Sequence, residues 1–176
     1  MKTIAKILLI LSFFNPATAQ MLEKPLFSFE HLSWGMKFKD VPAMLKGREL
    51  KPLDTPNHSL ARAASTNFYH FYLDTMYALP VIVSLQFGKE DSLLQSVIVA
   101  SMSIDTVTRQ LQKDDEKIER FRQKYSDRLG KAEKEKSIPF MGRMSIWSFK
   151  ATSVQMLEMS SISMLSFTFM PKSAEE

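Results

Sequence analysis

Strict alternation of apolar and polar residues over short runs is the feature that most restricts how this chain can fold. In "PVIVSLQFG" (80–88), every second residue from Val81 to Phe87 is apolar. The run "SMLSFTFM" (163–170) repeats the pattern. A period of two places one apolar face on a β-strand, and such strands must pair and bury that face against a core.

Six segments are predicted to be strands by this pattern or by their β-branched and aromatic content. They are residues 66–74, 80–88, 93–102, 142–150, 152–159 and 163–170. The compact turn "GKEDS" predicts an antiparallel hairpin between the second and third segments, with Gly88 free to take a positive φ. Residues 48–65 and the charged run "KAEKEKSIP" (131–139) are interpreted as loops.

Two helices are predicted beside these strands. Between residues 103 and 130 apolar residues recur at helical spacing, which indicates a long helix that ends at Gly130. A short helix is expected from Asp40, as its N-cap, to Lys46, with Pro42 in the first turn and Gly47 as a left-handed cap. The predicted fold is α+β: an antiparallel sheet of about six strands with one short and one long helix packed on one face, in the order α-βββ-α-βββ.

The first nineteen residues have the three-part pattern of a secretory signal peptide. Lys2 and Lys6 precede a short apolar run, and Ala17-Thr18-Ala19 supplies small residues for cleavage. The apolar run is too short to span a bilayer. We therefore expect residues 1–19 to be a signal peptide, 20–170 a single α+β domain and 171–176 a flexible tail, and the mature protein to be periplasmic or secreted without a membrane span.

Composition limits the classes of function that the chain can have. It contains no cysteine, which excludes disulfides, thiol nucleophiles and cysteine-based metal centres. The formal charge of +4 falls to +2 without the two signal-peptide lysines. So small a charge, with no basic run among aromatics, predicts no nucleic-acid partner.

The aromatic run "FYHFY" is the best candidate for a binding strand. Alternation puts Phe68, His70 and Tyr72 on one face and Tyr69 and Phe71 on the other. With aromatic groups on both faces, the less buried face is expected to be available to a ligand or partner.

Two alternatives concern metal binding and catalysis. Twelve methionines are present, and Met141, Met144, Met156 and Met159 have Met-x-x-Met spacing. Thioethers suit Cu(I), although residues i and i+3 of a strand point to opposite faces. A small hydrolase with a site built on His58 or His70 is the second alternative. Neither His58 nor His70 has metal-pair spacing, and no nucleophile or phosphate-loop motif occurs.

The stretch "LSWGMKFKDVPAMLKG" resembles the Trp-Gly-x-(Ser/Thr)-x-x-x-Val start of small exported bacterial domains of the β-lactamase-inhibitor-protein-like and BamE-type group. "RFRQKYSDRLGKAEK" and "IWSFKATSVQMLEM" are similar to the second half of such domains. Lys37 and Pro42 depart from the pattern. The resemblance implies helices on one face of an antiparallel sheet, with Trp34 packed inside and Gly35 in the turn that follows. It carries no particular function.

These observations favour an exported, non-enzymatic binding domain without a cofactor. Its partner, an unknown protein or envelope component, is expected to bind the sheet face or an edge strand.

Cleavage of the signal peptide gives the first testable prediction. Because small residues end at Ala19, the exported protein should begin at Gln20. Intact-mass analysis of protein from the envelope fraction checks this, and a retained Met1 would contradict it.

Overall fold

One eight-stranded antiparallel sheet organises the chain. The computed structural model describes residues 20–45, 47–52, 67–101, 115–139, 142–159 and 164–172. The strands are β1 (Lys51–Pro52), β2 (Asn67–Met76), β3 (Leu79–Gly88), β4 (Leu94–Ser101), β5 (Lys134–Ile138), β6 (Gly142–Ser148), β7 (Thr152–Met159) and β8 (Met164–Pro171). Their order across the sheet is β1-β2-β3-β4-β8-β7-β6-β5.

The sheet consists of two four-stranded meanders that meet at its centre. β1 to β4 form one meander and β5 to β8 the other, and each strand pairs with its neighbour in sequence. The central contact is the antiparallel pair of β4 and β8, in which Val97 lies opposite Phe169 and Val99 opposite Phe167. Because all four of these side chains are fully buried, the two meanders share one core.

The helices are short. Two 3₁₀ turns, Ser28–His31 and Phe38–Asp40, precede α1 (Val41–Met44), and α2 spans Asp115–Leu129. The apolar residues of α2 recur at helical spacing, and rings from α2 pack edge-on against β8, where the Phe121 and Tyr125 centroids lie 5.6 and 4.7 Å from that of Phe167. None of the helices in the described residues has the length and apolar character to cross a membrane.

The segment before β1 packs on the same face of the sheet as α2. Trp34 is buried, and its indole Nε1 donates a hydrogen bond to Thr152 Oγ1 over 2.8 Å. Thr152 Oγ1 in turn donates to the carbonyl of Met21 at 2.5 Å. The Phe29 ring lies 5.2 Å from that of Phe169. These contacts attach residues 21–34 to the second meander.

The predicted sheet of about six strands with a long helix on one face is wrong. The sheet has eight strands, and the helices have four and fifteen residues. The additional strands β1 and β5 lie in segments interpreted as loops. Both are edge strands, and every residue of β1 and most of β5 are exposed, so neither needs an apolar face. Residues 102–114, where the long helix was predicted to begin, lie outside the described residues.

Some of the predicted turn and cap residues have the expected conformation, and others do not. Gly35 and Gly47 have φ values of +70° and +81°, and Pro42 lies in the first turn of α1. Asp40 stands at the N-cap of α1, but its side chain makes no capping hydrogen bond. In the β3–β4 turn the positive φ belongs to Ser92, at 56°.

The β2–β3 hairpin turns through two residues with left-handed backbones, neither of them glycine. Met76 pairs with Leu79, which leaves Tyr77 and Ala78 in the turn with φ values of 51° and 66°. Such conformations cost roughly 1–2 kcal/mol each for residues with a Cβ. The Tyr77 ring meets Phe27 edge-on with centroids 5.6 Å apart, and this packing holds the turn in place.

Glycine at position 78 should therefore stabilise the protein. Ala78 is exposed, so Ala78→Gly removes backbone strain without losing packing, and we expect a gain of about 1 kcal/mol in the free energy of unfolding. Ala43→Gly in α1 is the matched control and should lose a similar amount, because that alanine is helical. Urea denaturation measures both, and a loss of stability in Ala78→Gly would contradict the assignment of strain.

Candidate binding surface

The two faces of the sheet differ in what lies over them. Side chains on the first face, which we call the covered face, pack against α2 and residues 20–45, and they supply most of the hydrophobic core. The second face, which we call the open face, carries the alternate strand positions. It consists of Lys51 on β1; Tyr69, Phe71, Leu73 and Thr75 on β2; Pro80, Ile82, Ser84 and Gln86 on β3; Ser96, Ile98 and Ala100 on β4; Lys134, Lys136 and Ile138 on β5; Gly142, Met144, Ile146 and Ser148 on β6; Ser153, Gln155, Leu157 and Met159 on β7; and Met164, Ser166, Thr168 and Met170 on β8.

The apolar residues of the open face remain outside the core. They are half-buried or exposed, and Leu73 shows 68% of its surface to solvent. No residue of this face belongs to the hydrophobic cluster of the described residues or packs against that cluster. Six long strands spaced by about 4.8 Å, paired over about seven residues, give the open face an area of roughly 700 Å². This area includes the polar side chains of the face as well as the apolar ones.

Register places the open-face residues in rows that cross the sheet. One row passes from Leu73 on β2 to Met144 on β6, and the row beside it passes from Phe71 to Ile146. Ser166 interrupts the first row, and Ser84, Thr168 and Gln155 interrupt the second. Gln86 and Ser96 bind each other, with Ser96 Oγ donating to Gln86 Oε1 at 2.6 Å.

The predicted binding strand divides between the two faces as its alternation requires. Tyr69 and Phe71 lie on the open face. Phe68, His70 and Tyr72 lie on the covered face. Phe68 and His70 pack against Phe38, at centroid distances of 5.6 and 4.4 Å, and Tyr72 is buried. Only Tyr69 and Phe71 of the five are therefore placed to meet a partner on the open face.

Two buried polar atoms of β2 have no hydrogen-bond partner. They are His70 Nδ1 and the hydroxyl of Tyr72. Burial lowers the pKa of His70 and raises that of Tyr72. The backbone of Phe29 lowers the pKa of Tyr72 by less than the other groups change it. It does not meet the Tyr72 hydroxyl with hydrogen-bond geometry. The other histidine considered for catalysis, His58, lies outside the described residues.

The methionines considered as copper ligands lie on both faces. Met144 and Met159 are on the open face, Met156 is buried on the covered face, and Met141 lies outside the described residues. The thioether of Met144 accepts a hydrogen bond from Gln155 Nε2 at 3.1 Å, and that of Met156 accepts one from Ser126 Oγ at 3.8 Å. The sulfur atoms of Met144 and Met156 thus lie on opposite faces of the sheet and accept hydrogen bonds from different groups. No cluster of three or more His, Asp or Glu side chains placed to hold a metal occurs in the described residues.

A buried ionic cluster joins residues 20–45 to the end of α2. The carboxylate of Glu30 is fully buried and accepts hydrogen bonds from the hydroxyl of Tyr125 at 2.5 Å and from both terminal nitrogens of Arg128, at 2.5 and 2.6 Å. It also accepts from the backbone nitrogens of Leu26 and Phe27. Burial, with the charge of Glu30 next, raises the pKa of Tyr125 well above its usual value, so its hydroxyl keeps the proton that it donates.

This cluster was missed in the reading of the sequence. Glu30 alternates with Phe29 and Phe27 as a solvent-facing residue of a strand edge would, but the segment is a 3₁₀ turn that directs Glu30 inward. Glu30 stands three residues after Phe27, and its carboxylate accepts a hydrogen bond from the backbone nitrogen of Phe27. This contact is one half of a capping box. The spacing of Phe27 and Glu30 was therefore the sequence signal from which the inward position of Glu30 could have been predicted.

A cleft of about 260 Å³ lies beside the cluster. Leu22, Glu23, Lys24, Arg128, Leu129 and Phe149 line it. Arg128 is already bound to Glu30 and, through Nη2, to the carbonyl of Lys24 at 2.6 Å. The guanidinium of Arg128 is thus neutralised and held in place, and the cleft is a weaker candidate than the open face.

Comparisons with known proteins identify no relative. No protein-family model matches the chain, and neither a curated protein nor a solved structure matches it.

The two buried tyrosines should respond oppositely to loss of the hydroxyl. Tyr72→Phe removes a buried hydroxyl without a partner and should leave stability unchanged or increased, whereas Tyr125→Phe removes a donor to Glu30 and should cost about 1–3 kcal/mol. Urea denaturation compares the pair. Equal losses in both variants would contradict the assigned hydrogen bonding.

Proposed function

We propose that the mature protein is an exported, non-enzymatic binding domain that holds a partner on the open face. The observation that carries the proposal is the exclusion of this face from the core. Folding leaves apolar side chains on six adjacent long strands half-buried or exposed, although burying each one would be favourable. A partner that covers them gains this free energy.

The size and composition of the open face support a binding role. Its area of roughly 700 Å² is close to the 800 Å² or so that each partner contributes to a standard protein interface. Aromatic, aliphatic and methionine side chains alternate with hydroxyl and amide groups, a mixture suited to a specific surface because the polar groups can be hydrogen-bonded on docking.

The sheet face is favoured over the sheet edges as the docking element. β5 carries Lys134, Glu135 and Lys136 along its free edge, and charges at an edge oppose the addition of another strand. At the other edge, β1 has only two residues, one of which is Pro52 and lacks an N–H. The edge strands β5 and β1 are therefore poor sites for the addition of another strand.

Site-directed photocrosslinking tests the proposal in intact cells. A photoreactive phenylalanine analogue at Leu157 on the open face should crosslink to an envelope component, whereas the same analogue at exposed Ala43 of α1 should not. Met144→Asp, on the neighbouring strand of the open face, should weaken the crosslink formed from position 157, because it places a charge directly beside Leu157 among apolar side chains.

Two results would contradict the proposal. One is crosslinking of equal yield from positions 157 and 43, with no effect of Met144→Asp. The other is catalytic turnover by the purified protein that is lost on substitution of one polar side chain and unaffected by Met144→Asp. Circular dichroism of Met144→Asp is the control for its folding.

A further inference from the structure

Carboxylates of the strands lie on one face only. At strand positions the open face carries Lys51, Lys134 and Lys136 and no Asp or Glu. The covered face carries Asp74, Glu135 and Glu158 together with one cation, Arg143. A face whose strand positions hold cations and no carboxylate differs from the mixed surface of an ordinary solvated sheet.

The alternation of β5 produces this sorting. Lys134 and Lys136 point to the open face, and Glu135 between them points to the covered face. On that side the side chain of Arg122 from α2 is hydrogen-bonded to Glu119, which raises the pKa of Arg122, and the charges of Glu158 and Glu135 raise it further. Glu135 therefore lies on the side of the sheet that carries Arg122, and the lysines on either side of it lie on the opposite face.

The two lysines of β5 adjoin the apolar side chains of the neighbouring strand. Lys134 lies opposite Ile146 and Lys136 opposite Met144, and the next strand adds Leu157 beside Met144. Both lysines are exposed, and the Lys134 ammonium lies 4.0 Å from a carboxylate oxygen of Glu133, which is also exposed. Their alkyl stems can lie along the apolar residues while the ammonium groups reach outward, as basic residues do at a membrane surface.

A second copy of the chain does not suit this surface. The row that contains Phe71 and Ile146 begins with Lys51 at one edge of the sheet and ends with Lys134 at the other. Two open faces packed on each other would bring lysines together at their margins, and like charges oppose such a contact. The partner should be anionic.

We propose that the open face of β5, β6 and β7 docks on an anionic lipid surface. Neighbouring strands rotate by roughly 20–25°, so a flat bilayer reaches one end of an eight-stranded sheet and not its whole width. The β5 end presents two lysines together with Met144, Ile146 and Leu157. The proposal rests on the binding role of the open face and names the chemistry of its partner.

Vesicle flotation with the mature protein tests this inference. Vesicles of phosphatidylglycerol and phosphatidylethanolamine should bind the protein at low salt, and phosphatidylcholine vesicles should bind it weakly. Lys134→Glu/Lys136→Glu should lower binding to the anionic vesicles at least tenfold, because each lysine near an anionic surface contributes about a fivefold gain. Met144→Ser should also lower binding, and high salt should weaken binding by the unaltered protein.

The matched control reverses two exposed lysines elsewhere. Lys39→Glu/Lys89→Glu alters net charge equally but lies in the 3₁₀ turn before α1 and in the β3–β4 turn, so it should change binding less than twofold. Equal losses in the two double variants, or no binding to anionic vesicles, would overturn the lipid assignment. If Lys134→Glu/Lys136→Glu left vesicle binding unchanged while the crosslink at position 157 persisted to a protein, the lipid inference would fall and the binding role of the face would stand.

Discussion

The pairing of β4 with β8 is the interaction on which the rest of the structure depends. It joins two meanders that are each built from local hairpins, and it places Val97, Val99, Phe167 and Phe169 at the centre of one core. These contacts link residues that are far apart in sequence, so the sheet forms only when both halves of the chain are present. The segment before β1 and the helix between the meanders both pack on the side of these four residues, and the opposite side of the sheet remains the open face.

The Glu30 cluster holds residues 20–45 against the end of α2 on the covered face. A carboxylate in an apolar interior is costly, and here two guanidinium nitrogens, a phenol and two backbone N–H groups satisfy it. Such an arrangement contributes more to specificity than to net stability. It favours one position of residues 20–45 relative to the end of α2, because a shift leaves the fully buried carboxylate of Glu30 without its partners.

The parts of the fold that follow from local pattern could be predicted from the sequence, and those that depend on edges and strain could not. The six long strands were expected because alternation, or β-branched and aromatic content, marks each of them. β5 carries Lys134, Glu135 and Lys136 in sequence, which is the composition of a loop. It is a strand because its backbone pairs with that of β6. The turn at Tyr77 and Ala78 contains none of the residues that readily adopt a positive φ, such as Gly or Asn. Its position therefore could not be predicted from turn-forming residues.

The candidate surface was only partly foreseeable. Alternation correctly separated Tyr69 and Phe71 from Phe68, His70 and Tyr72, but no sequence rule says which set a helix will cover. That choice depends on the placement of α2 and residues 20–45. The lysines of β5 were missed as part of the surface because their segment was interpreted as a solvated loop.

Methionine oxidation tests most directly whether one face of the sheet is open. Met144, Met159 and Met164 lie on the open face, whereas Met21, Met76 and Met156 are at most 1% exposed. Brief treatment with dilute peroxide, followed by peptide mass spectrometry, should oxidise the first group and spare the second, with Met44 at 39% exposure as the reactive reference. Anionic vesicles should then protect the open-face methionines and leave Met44 reactive. Equal oxidation of both groups, or protection of the open-face methionines without any partner, would contradict the account.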